Sequence, residues 1–152
     1  MDIKIRKGNQ SDIETIMGFQ LDMALETENL VLDEQTVTKG VSAVIEDPSK
    51  GQYFLAVVDG KVVGSLMVTI EWSDWRNNKI YWIQSVFVKK EFRTMGIFKQ
   101  LYLHIKNQVE NDESLGGIRL YVDNTNLKAK QVYDRLGMNG DHYSVFEWMK
   151  AH

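Results

Sequence analysis

Two segments rich in β-branched and aromatic residues, 53–58 and 61–70, are separated only by Asp59-Gly60. Both residues of such a dipeptide tolerate positive φ, so it is the typical turn of a two-residue β-hairpin. The two segments are therefore predicted to pair as antiparallel strands. This hairpin commits the middle of the chain to a sheet, and the remaining elements have to cover its faces.

The segment before the hairpin is predicted to contain one strand and two helices. Ile3 and Ile5 alternate with charged residues, as in a strand. Residues 11–14 have the form of a capping box and predict the start of the first helix. The second helix is predicted to be capped by Asp33 and to end before Pro48, because a residue that precedes proline avoids the helical conformation.

The segment after the hairpin begins with a polar loop, predicted at residues 72–78, and a central strand at 80–88. A helix follows, whose apolar stripe is Phe98, Leu101, Ile105 and Val109. The chain is then expected to form three more elements, which are a strand at 118–122, a helix at 126–136 closed by Gly137, and a last strand at 143–149.

This order of elements is βααββ, then βαβα, then β. It predicts an α+β domain with a central mixed, mostly antiparallel twisted sheet, about four flanking helices and one right-handed strand–helix–strand crossover. With 152 residues and a hydrophobic share of 43%, the chain is long enough to bury one continuous core. Residues 1–152 are therefore predicted to form a single domain.

Composition excludes several kinds of function. The chain has no cysteine, and its three histidines are scattered without a second ligand at metal-binding spacing, so no metal site is expected. A net charge of −3 argues against nucleic-acid binding. No apolar run approaches the ~20 residues that span a bilayer. We expect a soluble, cytoplasmic protein with no membrane partner.

Charge is unevenly distributed along the chain. Residues 9–34 include seven acidic residues and no Lys or Arg, whereas residues 79–106 include six basic residues and only Glu91 as an acid. The first region is predicted to attract cations and the second to attract anions, although either is also compatible with an ordinary solvated surface.

The joint between the central strand and the following helix is a candidate anion site. A helix start leaves backbone N–H groups without intrahelical partners, and the macrodipole adds partial positive charge there. Gly96 lets the backbone approach a ligand closely, and four cations lie nearby in sequence, namely Lys89, Lys90, Arg93 and Lys99. The glycine patterns of nucleotide hydrolases and dinucleotide oxidoreductases are absent from the sequence.

Two stretches of the chain resemble motifs of the GNAT superfamily of N-acetyltransferases. Arg93-Thr-Met-Gly96-Ile-Phe98 is similar to the Arg/Gln-x-x-Gly-x-Gly/Ala loop that holds the pyrophosphate of acetyl-coenzyme A in that family. Residues 126–138 are similar to its Asn-x-x-Ala-x-x-x-Tyr-x-x-x-Gly-Phe helix, with Met138 in place of phenylalanine. The order of elements agrees as well, so the resemblance covers nearly the whole chain.

The resemblance implies a set of cofactor-binding positions and a proton donor. The backbone at Val86, Phe87 and Val88 would pair with the pantetheine arm of acetyl-coenzyme A. The cradle of the diphosphate would be Arg93, Thr94, Met95, Gly96, Ile97 and Phe98, and Asn126 would also reach the cofactor. Phe98 replaces a small residue of the family, and we expect its ring to turn into the core. Tyr133 matches the proton donor, since a phenol of pKa ~10 can protonate a leaving thiolate.

The general base is left open by the sequence. Many relatives have a carboxylate where this chain has Gln84, which cannot accept a proton. Glu26, Glu28 or a water chain ordered by Gln84 and Ser85 are the candidates.

The resemblance implies that the acceptor contacts the first two helices and the loop before the central strand. The acidic run, with Glu26 and Glu28, and the indoles of Trp72 and Trp75 all attract cations. We expect a small-molecule or peptide acceptor that carries a primary amine.

Two other functions are compatible with the same residues. The chain could be a non-catalytic acyl-coenzyme A binding module that has lost its base, or a nucleotide or phosphometabolite binder. Many members of the family pair as dimers, so a homodimer with the final strand at its interface is also open.

Overall fold

A computed structural model describes residues 1–151, which form two units divided after Arg119. The first unit contains the sheet and three helices, and the second contains one helix. The strands are β1 (Ile3–Lys7), β2 (Gln52–Val58), β3 (Lys61–Ser73), β4 (Asn78–Val88) and β5 (Leu115–Leu120). The helices are α1 (Ile13–Glu28), α2 (Glu34–Glu46), α3 (Ile97–Glu110) and α4 (Leu127–Arg135), with short 3-10 turns at Gln10–Asp12 and Lys90–Phe92.

The five strands form one mixed sheet in the order β1-β2-β3-β4-β5. The pairs β1–β2, β2–β3 and β3–β4 are antiparallel. Asp59 and Gly60 have φ values of 50° and 76°, which confirms the predicted two-residue hairpin between β2 and β3. The α+β class is confirmed, whereas the single domain stays a prediction.

The hairpin of β3 and β4 is longer than the sequence predicts. The polar composition of residues 72–78 predicts a loop, but β3 continues to Ser73 and only residues 74–77 form the turn. Trp72 and Ser73 pair with Lys79 and Asn78 across the two strands. Cross-strand pairing therefore overrides local composition in this segment.

A β-bulge interrupts the pairing of β3 with β4. Ser65 pairs with Phe87 and Met67 pairs with Gln84, so two residues of β4 face one residue of β3. Ser85 lies in the bulge with a φ of 54°. A bulge bends its strand and leaves the extra residue without its hydrogen bonds to the neighbouring strand. The direction of β4 therefore changes after Ser85.

Side chains of β2 alternate between two cores. Tyr53 and Leu55 pack with Ile16 of α1 and Val41 of α2. On the other face, the ring of Phe54 lies 5.5 Å from that of His104 in α3, measured between centroids. Helices thus cover both faces of the sheet.

The buried stripe of α3 begins one residue earlier than predicted. Ile97, Leu101 and Ile105 are buried, whereas Phe98 is half-buried and stacks on Tyr102 with centroids 6.2 Å apart. The expectation that the Phe98 ring turns into the core is therefore wrong, since Ile97 takes that position. The helix ends at Glu110.

A capping box is present two residues earlier than the predicted one at residues 11–14, and it caps the 3-10 turn Gln10–Asp12 that leads into α1. The side chain of Asn9 accepts a hydrogen bond from Ser11 N–H at 2.9 Å, and the carboxylate of Asp12 accepts one from Asn9 N–H at 2.8 Å. Asp12 is also bound by Arg6, so its carboxylate serves two partners. The cap of α2 at Asp33 is confirmed by the bond that it accepts from Thr36 N–H at 2.9 Å.

Strand β5 starts three residues before the predicted segment 118–122 and ends at Leu120. Glycine has a low strand propensity, so Gly116 and Gly117 argue against a strand at this position. Both nevertheless belong to β5, directly after the buried Leu115.

In the second unit, α4 agrees with the prediction, and Asn126 caps it by accepting a hydrogen bond from Ala129 N–H at 3.1 Å. Gly137 has a φ of 86° and ends the helix as expected. The predicted last strand at 143–149 is wrong for this structure, because these residues are exposed and have no regular secondary structure. A strand requires a neighbour for its backbone groups, and alternation in sequence does not provide one. Within residues 1–151 no helix is both long and apolar enough to cross a membrane.

Candidate active site

The loop between β4 and α3 contains two left-handed residues. Thr94 has a φ of 67° and Gly96 a φ of 80°. A threonine in this region is strained by roughly 1–3 kcal/mol, and such strain concentrates at functional sites. No described atom lies within 4 Å of the position that a Cβ on Gly96 would take, so the backbone there is open on one side.

Helix α3 begins directly after Gly96. Its first backbone hydrogen bond runs from Gln100 N–H to Gly96 O at 3.1 Å, so the amides that precede Gln100 lie outside the helical ladder. No side chain caps this end of the helix among residues 1–151. The macrodipole of this 14-residue helix adds partial positive charge at the same place. These features fit the diphosphate of a nucleotide-type ligand.

Arg93 connects this loop to the first helix. Its Nε donates to Val88 O at 2.9 Å, and its Nη2 donates to Glu26 Oε2 at 2.8 Å, while Nη1 contacts Glu26 Oε1. The guanidinium also lies 5.5 Å from the centre of the Phe87 ring, a cation–π distance. The hydrogen bond from Arg93 lowers the pKa of Glu26, and the same bond raises the pKa of Arg93.

A cavity of about 320 Å³ opens beside this pair. Its wall on α1 carries the carboxylates of Asp22 and Glu26 with Phe19, whose ring lies 5.0 Å from that of Phe87. Its other residues, from the end of β4 and the following loop, are Phe87, Lys89, Lys90, Glu91 and Arg93. The cavity therefore has two carboxylates on the helix side, and its three basic groups, together with the carboxylate of Glu91, on the loop side.

Three residues of this cavity, Phe19, Asp22 and Glu91, were not predicted as site residues from the sequence. Asp22 lies four residues before Glu26, so both carboxylates project from one face of α1. That spacing within the acidic run is the signal that would have identified Asp22. Phe19 has no comparable signal, because it reads as one more apolar residue of the helix.

The other predicted acceptor residues lie outside the residues that line this cavity. Glu28 is exposed at the last position of α1, Trp72 is exposed on β3, and Trp75 is exposed in the turn that follows. Gln84 is half-buried on β4, where its Oε1 lies 3.5 Å from the hydroxyl of Thr69. The structure thus brings Glu26 to the cavity but not these four side chains.

The predicted cofactor-binding segment of β4 follows the bulge directly. Val86 and Val88 are half-buried and Phe87 is buried. Val88 O accepts a hydrogen bond from Arg93, and Lys89 N–H donates to Val63 O at 2.8 Å. Met95 is exposed between the two left-handed residues of the loop.

In the second unit, Tyr133 is half-buried on α4, and burial raises the pKa of its phenol above the ordinary value of 10.0. Such a phenol stays protonated at neutral pH and can donate a proton. Asn126, at the start of the same helix, uses its side-chain oxygen as the cap.

Comparisons with known proteins point to one family. A sequence model of the acetyltransferase (GNAT) family matches residues 21–138. A solved structure of a possible acetyltransferase from Clostridium difficile 630 is 45% identical, covers 99% of both chains and superposes with a TM-score of 0.91.

Two further relatives are more distant. An uncharacterized N-acetyltransferase of Methanocaldococcus jannaschii is 34% identical over 85 residues, which is 56% of this chain and about half (51%) of that protein. An integron cassette protein from Vibrio cholerae shares the fold, with 18% identity, a TM-score of 0.82 and coverage of 99% of this chain and 94% of that one.

Proposed function

The chain belongs to the acetyltransferase (GNAT) family, and we propose from this that it moves an acetyl group from acetyl-coenzyme A directly to the primary amine of a small, cationic acceptor. The observation that carries the proposal is the loop at Thr94 and Gly96, followed by the uncapped start of α3. Left-handed residues before a helix start aim consecutive backbone amides toward one point, as an anion of high charge requires.

The diphosphate of the co-substrate would be held by this loop together with the basic side chains near it. Backbone amides from Met95 to Lys99 would donate to its oxygens, and Arg93 and Lys99 would add full charges. Bound acetyl-coenzyme A supplies a thioester, the activated acyl group that the reaction consumes. The β4 backbone after Ser85 would align the pantetheine arm through hydrogen bonds at Val86 to Val88.

Tyr133 would protonate the leaving thiolate. A phenol is protonated at pH 7, as a general acid has to be, and burial raises the pKa of this phenol, which keeps it in that form. The chain has no cysteine that could form a thioester intermediate, so in this proposal the amine would attack the acetyl group directly.

Glu26 is a poor general base in this arrangement. A base needs a pKa near the working pH, but the bond from Arg93 moves the pKa of Glu26 further below that range. Gln84 cannot accept a proton at all. The amine would therefore lose its proton to solvent that enters the open cavity, before it reaches the acetyl group.

The acidic wall of the cavity supports a cationic acceptor. Asp22 and Glu26 project from α1 into the same space, while Lys89, Lys90 and Arg93 lie on the loop. An ammonium group would be attracted to the helix side and repelled by the loop side. This arrangement would orient an acceptor that carries a second positive group, such as a polyamine or a basic peptide.

Replacement of Tyr133 by Phe tests the catalytic part of the proposal. We expect the rate of thiol release with an amine library to fall by about 10²–10⁴-fold, since the variant lacks the general acid. Calorimetric affinity for coenzyme A is expected to stay within a factor of two. The matched control is Tyr53→Phe, because burial also raises the pKa of Tyr53 but this residue lies in the core beneath α1 and α2.

A non-catalytic acyl-coenzyme A binding module is the second candidate, favoured by the glutamine at position 84. It would bind coenzyme A tightly, yet the wild-type chain would release no thiol with any amine offered. Thermal stabilisation by ATP and not by coenzyme A would contradict both candidates and indicate a different phosphate ligand.

A further inference from the structure

Two buried polar side-chain atoms of the first unit have no hydrogen-bond partner among the residues that the structure describes. They are Nε2 of Gln20 on α1 and Oγ of Ser65 on β3. Gln20 is 9% exposed and Ser65 is fully buried. A buried polar group without a partner costs free energy comparable to a lost hydrogen bond, so a stable fold has to provide each of these groups with one.

The hydroxyl of Ser65 is directed toward α1. Ser65 pairs with Leu55 of β2 on one side and with Phe87 of β4 on the other. Directly paired residues of antiparallel strands place their side chains on the same face of the sheet. Leu55 belongs to the core cluster that contains Ile16 of α1, and the Phe87 ring lies 5.0 Å from that of Phe19 on the same helix. Ser65 therefore lies between two contacts with α1.

The amide of Gln20 enters the same layer from the helix side. Gln20 lies four residues after the buried Ile16, so the two side chains share the face of α1 that covers the sheet. The side chains of Gln20 and Ser65 thus approach one another from opposite sides of this layer, without a direct hydrogen bond between Gln20 Nε2 and Ser65 Oγ.

The bulge of β4 lies beside Ser65. The register runs from the pair Met67–Gln84 to the pair Ser65–Phe87, so Ser65 makes the first pair after the bulge. Ser85 within the bulge has a left-handed φ of 54°, and the extra residue of a bulge lacks the hydrogen bonds of a paired residue. The bulge therefore offers backbone polar groups close to the hydroxyl of Ser65.

We propose that Gln20, Ser65 and the backbone of the bulge hold one buried water molecule, and that Gln20 is, through this water, a positioning residue for acetyl transfer. A buried water typically makes about three hydrogen bonds to groups that would otherwise be unsatisfied. Water fits this set because it both donates and accepts. The Gln20 amide donates to the water oxygen, and the water donates to Ser65 Oγ and to a carbonyl of the bulge.

The water fixes the position of the bulge, which sets the direction of the β4 backbone from Val86 to Val88. We have proposed that this backbone aligns the pantetheine arm, so the positioning role rests on the proposed function. A misplacement of about 1 Å can reduce a reaction rate by about 10²-fold. The diphosphate loop at Gly96 lies on a different segment. Loss of the water is therefore expected to lower kcat while the affinity for coenzyme A is preserved.

A crystal structure of the full chain tests the water itself. We expect a water oxygen within ~3.2 Å of both the Gln20 side-chain amide and Ser65 Oγ. A direct hydrogen bond between the two side chains, or a protein atom in the place of the water, would overturn the proposal.

Melting temperatures of Gln20→Met, Ser65→Ala and the double variant test whether the two groups share one water. Each single substitution leaves the other group buried without its hydrogen bond, so the melting temperature should fall by roughly 3–8 °C. The double variant should melt no lower than the less stable single variant, because the shared interaction is lost only once. No fall in either single variant, or a double variant whose fall equals the sum of the two, would contradict a shared water.

Steady-state kinetics at a temperature where every variant is folded tests the positioning role. The kcat for acetyl transfer should fall by about 10-fold in Gln20→Met and in Ser65→Ala, while the calorimetric affinity for coenzyme A changes by less than about twofold. Ser73→Ala is the matched control and should keep its kcat. Ser73 is also buried on β3, but its Oγ accepts a hydrogen bond from Arg76 at 3.3 Å.

An unchanged kcat in Gln20→Met would make the water purely structural and overturn the positioning role. The failure of the proposed function would look different, because the wild type would then transfer no acetyl group to any amine. In that case the crystal structure and the melting temperatures still decide whether Gln20 and Ser65 hold the water.

Discussion

Two arginines of the first unit each make a two-pronged contact with one carboxylate, and the two pairs differ in their access to water. Arg6 binds Asp12, whose side chain is only 6% exposed, through contacts of 2.7 and 2.9 Å. Arg93 binds Glu26, whose side chain is 46% exposed. In both pairs, the hydrogen bond from the arginine is the main cause of the lowered carboxylate pKa.

The difference in exposure assigns different roles to similar contacts. Asp12 also accepts the Asn9 N–H, so its carboxylate joins β1 to the start of α1 and leaves little access for another ligand. Glu26 and Arg93 belong to segments 67 residues apart and line an open cavity. Water and salt screen an exposed pair, so a ligand can displace it at small cost. The Arg6–Asp12 pair stabilises the fold. We propose that in the other pair the diphosphate competes with Glu26 for Arg93.

The largest effect is expected from removal of the buried carboxylate. Asp12→Ala leaves the Arg6 guanidinium and the Asn9 N–H without their partner, which should lower the free energy of unfolding by about 1.5–3 kcal/mol. In a chain of this size the melting temperature should fall by roughly 3–10 °C. Chemical denaturation and calorimetry measure both, with Glu14→Ala, an exposed carboxylate of the same helix, as the control.

The pH dependence of the free energy of unfolding, measured for wild type and Asp12→Ala, is a second control. A carboxylate whose folded pKa lies below its unfolded pKa contributes stability above the unfolded value, and this contribution is lost as the pH falls through the folded value. The stability difference between wild type and Asp12→Ala should be constant from about pH 7 to pH 5 and shrink below about pH 4. A difference that grows toward low pH would mean that Asp12 stabilises the fold in another way.

Removal of the exposed Glu26–Arg93 pair should change the affinity for ligands and have little effect on the free energy of unfolding. Glu26→Gln releases Arg93 from its charged partner, so coenzyme A should bind about 2–5-fold more tightly, while the free energy of unfolding changes by less than ~1 kcal/mol. The KM of a cationic acceptor should rise, because the helix side of the cavity has lost a charge. Titration calorimetry measures the affinity for coenzyme A, with Glu28→Gln as the control. If Glu26→Gln instead bound coenzyme A more weakly, the Glu26–Arg93 pair would be required for binding.

The same comparison shows which parts of this molecule the sequence could predict. The Asp59-Gly60 turn, the Asp33 cap and the end of α4 at Gly137 depend on neighbouring residues, and local patterns predict all three correctly. The predicted cap of α1 is misplaced because the Asp12 carboxylate binds both Asn9 and Arg6. The Glu26–Arg93 contact is not predictable in this way, because only the folded sheet and helix bring its two residues together.

The sequence locates the loop of the candidate site but not its detailed shape. Gly96 marks the joint, whereas the positive φ of Thr94 has no signal in the residue itself. Residues 143–149 are the opposite case, since their pattern predicts a strand but they have no regular secondary structure. Backbone strain and strand pairing are both properties of the assembled molecule, beyond the reach of local patterns.

The central claim is that the backbone at Gly96 holds the diphosphate of coenzyme A, and two valine substitutions test it directly. Gly96 and Gly60 have nearly the same φ, 80° and 76°, and no described atom lies within 4 Å of the position that a Cβ would take on either residue, so valine strains both backbones alike. Calorimetric titration should show that Gly96→Val weakens coenzyme A binding by at least about 10-fold, a loss of about 1.4 kcal/mol, while Gly60→Val leaves it unchanged. Equal affinities in the two variants would contradict the account.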